Sequence, residues 1–252
     1  MNIKLLNYTP LAIADTAIGK CWDTGCIVDV DDMRDRIFRV ANKSGHTSTI
    51  EHLYYSFDID GISRAVLQEL SRHRIASYTV KSSRFTLKKD LKNEHPFNYK
   101  DYDRAVKYVK LTGDGDVDQA SIKALENVRQ LVKANKSNDV IKYALPESFK
   151  TSLVFSINAR SLQNFLRLRT HKNALQEIRD LGYGIYKVLP ESHKYLYEEC
   201  CVYSETKKEK LKRVEQKIMH LLRLDLVSGS EDDQNRQARI LELIDEKVGL
   251  LR

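Results

Sequence analysis

A chain of 252 residues that is 42% hydrophobic has the length and apolar content for one ordinary domain plus an appendage. No apolar run is long enough to span a membrane, and Met1-Asn2-Ile3-Lys4-Leu5-Leu6 lacks the apolar stretch and small-residue cleavage site of a secretory leader, so a cytoplasmic protein is expected. The net charge of +7 suits an anionic partner without separating nucleic acid from phosphorylated metabolites, and Cys21, Cys26, Cys200 and Cys201 form no C-x2-C pair, which argues for reduced thiols over zinc.

Thr9-Pro10 reads as an N-cap and first helical position before Leu11, Ala14, Ile18 and Cys21 at helical spacing. A second helix is expected from Asp31-Asp32, carrying Met33, Ile37, Val40 and Ala41. Leu53, Tyr55, Phe57 and Ile59 alternate with polar residues as in a strand, Gly61 turns the chain, and Ser63 caps a helix bearing Val66, Leu67 and Leu70. Residues 88–116 are weakly patterned, with a short helix expected around Tyr102 to Leu111. Asp114-Gly115-Asp116-Val117-Asp118 imitates the start of a calcium loop, but Gln119 and Leu125 stand where that loop needs glycine and glutamate. It is better read as a turn into a helix with Ile122, Leu125, Val128 and Leu131.

A short helix after Ser137 should end near Pro146, followed by a strand with Leu153, Phe155 and Ile157. Asn158-Ala159-Arg160-Ser161 opens a helix, and a last core helix is expected from about Ala174 to Leu189. Beyond Glu205 the chain is heavily charged, with apolar residues at coiled-coil spacing on either side of Ser228-Gly229-Ser230. These elements predict an α+β fold: helices around a small, mainly antiparallel sheet, with a core of 1–203 and a helical hairpin extension over 204–252.

Three polar clusters interrupt this pattern. The first is His46-Thr47-Ser48-Thr49-Ile50-Glu51-His52, whose two histidines lack a metal-ligand spacing and read more simply as a hydrogen-bonded turn. The second, Arg72-His73-Arg74 through Ser82-Ser83-Arg84, gathers cations between apolar stretches, where unpaired charge is costly. Helix-end cations favour the helix dipole, which accounts for Arg72 and Arg74 but not for His73 or Ser82-Ser83-Arg84. In the third, Asn158 to Arg169, Leu162, Phe165, Leu166 and Arg169 share one stripe, so Arg169 needs either a core carboxylate or a bound ligand. There is no glycine-rich phosphate loop, so any phosphate must be held by side chains, a task suited to arginine forks. Ser82 has no assignable base, and no nucleophilic triad is spaced convincingly.

Arg72-His73-Arg74, seven residues, then Ser82 and Arg84, followed later by Asn158-Ala159-Arg160-Ser161-Leu162 with Asn164 and Leu168-Arg169, resembles the signature of flavin-dependent thymidylate synthases over about residues 1–203. That resemblance implies a cytoplasmic homotetramer that makes dTMP from dUMP, with FAD bound, NADPH as reductant and methylenetetrahydrofolate as carbon donor. It implies flavin contacts at Ser48, Glu51, Arg72, His73, Arg74, Ile75, Asn158, Arg160, Asn164 and Leu168. It implies nucleotide contacts at Glu69, Arg72, Val80, Lys81, Ser82, Ser83, Arg84, Lys142 and Arg169, with Arg169 and Ser82 as catalytic positions and no metal. Thr79-Val80 stand where many members carry Asn-Glu, Lys142 where an arginine is common, and Asn173 where a histidine is.

Two other readings compete. A basic, non-enzymatic nucleic-acid binder would use the same clusters to track phosphates, with Tyr54, Tyr55 and Tyr78 as stacking platforms. A metal-dependent phosphohydrolase ranks third.

Overall fold

The computed structural model describes residues 1–201, 214, 215, 218, 240–245, 247 and 248. Most of the expected 204–252 hairpin, and its boundary at 203, lie outside the described residues. Of that region, 214, 215, 218, 240–245, 247 and 248 are helical, and Lys247 Nζ lies 2.9 Å from Glu215. The chain divides into two compact units, one from 1–81 and 151–203, the other from 82–150 and 204–252.

The first unit opens on strand β1, Asn2–Tyr8, which sequence patterning did not reveal. Helix α1 follows at Leu11–Trp22, with Pro10 itself in the N-cap position rather than Thr9. Helix α2, Val30–Phe38, starts because the Asp29 carboxylate accepts from the N–H groups of Asp31 and Asp32 at 2.9 and 3.0 Å, one residue earlier than expected. Strand β2, Tyr54–Ser63, runs past Gly61, whose φ of +75° sits within the strand and not in a turn. Ser63 then caps helix α3, Arg64–Leu70, accepting from the Val66 N–H at 3.1 Å. Strand β3, Ala76–Val80, lies inside the basic segment.

The second unit contains helices α4 (Ser83–Leu91), α5 (Tyr102–Ala105), α6 (Gly115–Lys133) and α7 (Asn138–Ile141) around Leu87, Leu91, Phe97, Val109, Ile122, Leu125 and Val128. The helix expected over 102–111 is a single turn, because Val109 leaves it to bridge Phe149. The calcium-like stretch is a capping structure. Asp114 accepts from Asp116 and Val117, and the buried Asp118 carboxylate takes the Thr112 and Gly113 N–H groups at 2.6 and 3.0 Å.

The chain re-enters the first unit along strand β4, Lys150–Asn158, and continues through helices α8 (Ala159–Arg169), α9 (Gln176–Val188) and α10 (Glu191–Lys194). The sheet order is β1-β2-β4-β3, with β1–β2 and β3–β4 antiparallel. Leu53 accepts from the Ala159 N–H, Ser56 faces Ser156, and Phe57 stacks on Phe155, so partner numbers fall as β2 rises and this central pair is antiparallel too. Tyr55, Phe57 and Ile59 of β2 and Leu153, Phe155 and Ile157 of β4 form the buried face, against which α1, α3, α8 and α9 lay their apolar residues.

Candidate active site

A cavity of about 1170 Å³ opens in the first unit between two stretches of chain. One wall comes from Thr47 and Glu51 with the turn Arg72 to Ile75. The other comes from Asn158, along α8, to Ala174. The second wall is placed by Asn158, whose side chain accepts from the Ser161 N–H at 2.8 Å and so starts α8 with its polar face toward the cavity. Leu162, Phe165 and Leu166 anchor the opposite face in the core.

The turn is fixed by four contacts. The His73 N–H donates to the Leu70 carbonyl at 3.1 Å. The Tyr78 hydroxyl reaches the Leu70 and His73 carbonyls at 2.9 and 2.7 Å. The His73 ring stands edge-on to Phe165, 5.0 Å between centroids. His73 is only 8% exposed, and burial, followed by the nearby Arg169 charge, pushes its pKa down to about 4.

Arg169 ties the two walls together. Its Nε–H donates to His73 Nε2 at 3.0 Å, Nη1 to the Glu69 carboxylate at 2.6 Å, and Nη2 to the Glu69 carbonyl at 3.0 Å. Because His73 Nε2 accepts, the neutral ring carries its proton on Nδ1. The stripe that made Arg169 ambiguous in sequence is thus resolved toward a carboxylate partner, and the guanidinium still borders the cavity. Arg72 adds a looser contact to Glu69 at 3.5 Å, and Arg160 pairs with Glu51.

Five arginines (72, 74, 160, 167 and 169) line the cavity against one carboxylate, Glu51. Ile75 and Leu168, 70% and 55% exposed, add apolar surface. Such a lining accommodates a large anionic ligand with a flat apolar part.

Residues 4–193 match the family model described as thymidylate synthase complementing protein. A flavin-dependent thymidylate synthase of Campylobacter jejuni (strain RM1221) is 50% identical over 202 residues, covering 79% of this chain and 97% of that protein. The Wolinella succinogenes enzyme of the same name is 52% identical over 199 residues, 78% and 97% of the two chains. The chain belongs to the flavin-dependent thymidylate synthase family. A solved structure of thymidylate synthase X from Helicobacter pylori, crystallised with FAD and dUMP, superposes with a TM-score of 0.75 at 46% identity, covering 81% of this chain and 100% of that one.

Of the flavin contacts that family membership implies, Glu51, Arg72, His73, Arg74, Ile75, Asn158, Arg160, Asn164 and Leu168 all line the cavity. Ser48 does not. It is exposed on the turn Thr47–Ile50, and its neighbour Thr47 takes the lining position. Arg169 borders the cavity, with Glu69 bracing it.

The remaining nucleotide positions are not among the lining residues. Val80 and Lys81 lie in the first unit, while Ser82, Ser83, Arg84 and Lys142 belong to the second. Ser82 is the N-cap residue of α4, yet its hydroxyl makes no capping bond. Arg84 forks onto Asp139 at 2.5 and 3.3 Å, and its carbonyl accepts from Asn138 at 2.6 Å. Tyr55 is fully buried and Tyr78 packs on Phe155, so two of the three supposed stacking tyrosines are spent inside the fold.

Sequence reasoning gave no role to Thr47, Ser161, Gln163, Arg167, His171 and Ala174, all of which line the cavity. The signal was present for Arg167. Arg160, Asn164 and Arg167 recur on α8 at spacings of four and three, opposite the apolar stripe.

Proposed function

We propose that this protein reductively methylates dUMP to dTMP in dTMP biosynthesis, with FAD in the arginine-lined cavity, methylenetetrahydrofolate as carbon donor and NADPH as reductant. The observation that carries this reading is the lining itself: five arginines, one carboxylate and two unshielded aliphatic side chains around a space larger than the roughly 300–1,000 Å³ of an ordinary ligand pocket. That donor set fits a flavin dinucleotide. Arg72, Arg74, Arg160 and Arg167 supply the charge to neutralise a pyrophosphate without a glycine-rich loop, and Ile75 and Leu168 supply apolar surface for a flat ring.

FAD, when bound, relays a hydride between reductant and substrate. The chain's own contribution is electrostatic. A guanidinium has five N–H donors, and Arg169 spends three on His73 and Glu69, so two remain for the uracil ring. Withdrawing electron density there favours addition to the pyrimidine, and holding Arg169 rigidly in advance avoids reorganisation during the reaction. Keeping His73 neutral spares the site a second cation against Arg169. No protein nucleophile is needed. Ser82, which accompanies Val80, Lys81, Ser83, Arg84 and Lys142 as a nucleotide contact, acts as a polar partner and not as an attacking group.

Membership of the family further supports a cytoplasmic homotetramer whose active sites lie between subunits, with Glu69 and Arg72 reaching a neighbour's nucleotide. It also supports a catalytic domain of 1–203 with 204–252 as an added extension. The purified protein should be yellow, and its NADPH oxidation should rise on adding dUMP and methylenetetrahydrofolate. A colourless protein that cannot be reconstituted with FAD overturns the proposal. Binding that weakens steeply with salt and ignores dUMP would favour the nucleic-acid reading instead.

A further inference from the structure

The Tyr78 side chain has a use that neither the basic motif nor its family pattern assigns. It stands on β3 with its ring against Phe155, 5.3 Å between centroids, at the register position directly opposite that residue. Its hydroxyl lies within hydrogen-bonding distance of both the Leu70 carbonyl and the His73 carbonyl. Those carbonyls bracket the turn that leaves α3 and delivers Arg72 and His73 to the cavity, with Glu69 just before it on α3. The Leu70 carbonyl has a second donor in the His73 N–H, so the hydroxyl's particular contribution is its grip on His73.

We propose that Tyr78 is a positioning residue for Arg169: its hydroxyl fixes the backbone at His73, and the His73 ring in turn holds the guanidinium through Nε2. The chain of contacts is short and continuous, from the Tyr78 hydroxyl to the His73 carbonyl at 2.7 Å and from His73 Nε2 to Arg169 Nε at 3.0 Å. Glu69, the penultimate residue of α3, supplies the other two anchors, so the grip of Tyr78 acts on the bond at Nε that completes the orientation of Arg169. Burial pushes the Tyr78 phenol up to about 12, which keeps it a donor at every pH at which the protein would be assayed. As a consequence for turnover, this rests on the proposed role of Arg169. As a statement about His73, it stands on geometry alone.

The Tyr78→Phe variant removes the hydroxyl and keeps the ring on Phe155. Two measurements on the holoenzyme decide the matter. The first is the imidazole nitrogen spectrum of isotope-labelled histidine, in which the His73 Nε2 signal should shift and broaden as its bond to Arg169 loosens. The second is dUMP-dependent NADPH oxidation, in which kcat should fall about tenfold while the KM for dUMP changes much less, the signature of a group acting in the transition state. An unmoved His73 signal overturns the proposal even if activity drops, because the loss would then be general destabilisation. An unchanged kcat overturns it as well. A wild-type protein without dUMP-dependent oxidation would sink the functional reading, while the His73 spectrum would still test the grip of Tyr78.

Discussion

At the scale of single residues, Arg169 shows why its chemistry needs a planar fork and not merely a positive charge. Lysine would keep the charge but cannot bond His73, the Glu69 carboxylate and the Glu69 carbonyl in one plane while presenting a free edge. Arg169→Lys should therefore lower dUMP-dependent turnover by roughly 10²–10³ with little change in melting temperature, and Arg169→Ala should abolish it. A lysine variant with near-normal kcat would remove the guanidinium from the chemistry. Arg84 offers a contrast. The family resemblance implies a nucleotide contact for it, and it has a bidentate carboxylate partner in Asp139, with both side chains more than half exposed. If it engages nucleotide phosphate it must share or exchange that partner, so Asp139→Asn should tighten dUMP binding where Arg84→Ala weakens it by roughly 1.5–3 kcal/mol. Calorimetry on both variants tests this directly. The arginines were visible in sequence as charges out of place. Their partners were not, because Glu69 and Arg169, like Arg84 and Asp139, are far apart along the chain and only folding brings them together.

At the scale of elements, the strands that sequence patterning found are the two in the middle of the sheet, and the two it missed are the edges. β2 and β4 bury every second side chain fully, which writes a clear alternation into the sequence. β1 and β3 bury theirs only in part, through Ile3 and Leu5 or through Ala76, Tyr78 and Val80, so their alternation is faint and in β3 the surrounding charges mask it. One edge contact has a measurable consequence. A Cβ added at Gly184 of α9 would lie 2.4 Å from the Ile3 Cδ1 atom of β1. That atom is the far end of a flexible, half-buried side chain that can turn aside, so helix propensity, worth up to about 1 kcal/mol, should leave Gly184→Ala with a melting temperature at or slightly above the parent's. A clear fall in melting temperature, relieved by Ile3→Val in the same chain, would show that β1 holds Ile3 in place. At the start of α8, Asn158→Ala should cost about 1 kcal/mol in urea unfolding through the lost cap alone, and Asn158→Asp much less.

At the scale of the whole molecule, the two units carry different acid sensitivities. His73 and His193 of the first unit are both pushed down from 6.5 to about 4 by burial, and His193 is further engaged at Nδ1 with the Tyr55 hydroxyl at 2.7 Å. Between pH 6.5 and about 4 the unfolded chain therefore binds more protons than the folded one, and stability falls as pH drops through that window. Glu126 of the second unit is held down at about 2, chiefly by the Arg129 fork at 2.7 Å, so its contribution is lost only as pH falls from 4.5 toward 2. The one tryptophan, Trp22, ends α1 in the first unit. Acid unfolding followed by tryptophan fluorescence should be complete at a pH where part of the helical circular dichroism, that of α6 and its neighbours in the second unit, still remains. Coincident transitions would show that the units unfold as one.

The two cavity walls, residues 47–75 and 158–174, are separated along the chain by all of 82–150. Synthesis adds roughly 5–20 residues per second, so the first wall leaves the ribosome on the order of ten seconds before the second. Through that interval Arg72, His73 and Arg74 have neither Arg169 nor α8 to face, and β2 waits for its central partner β4. A ligand that needs both walls at once can therefore be held only late in the life of the nascent chain, after α8 has been made.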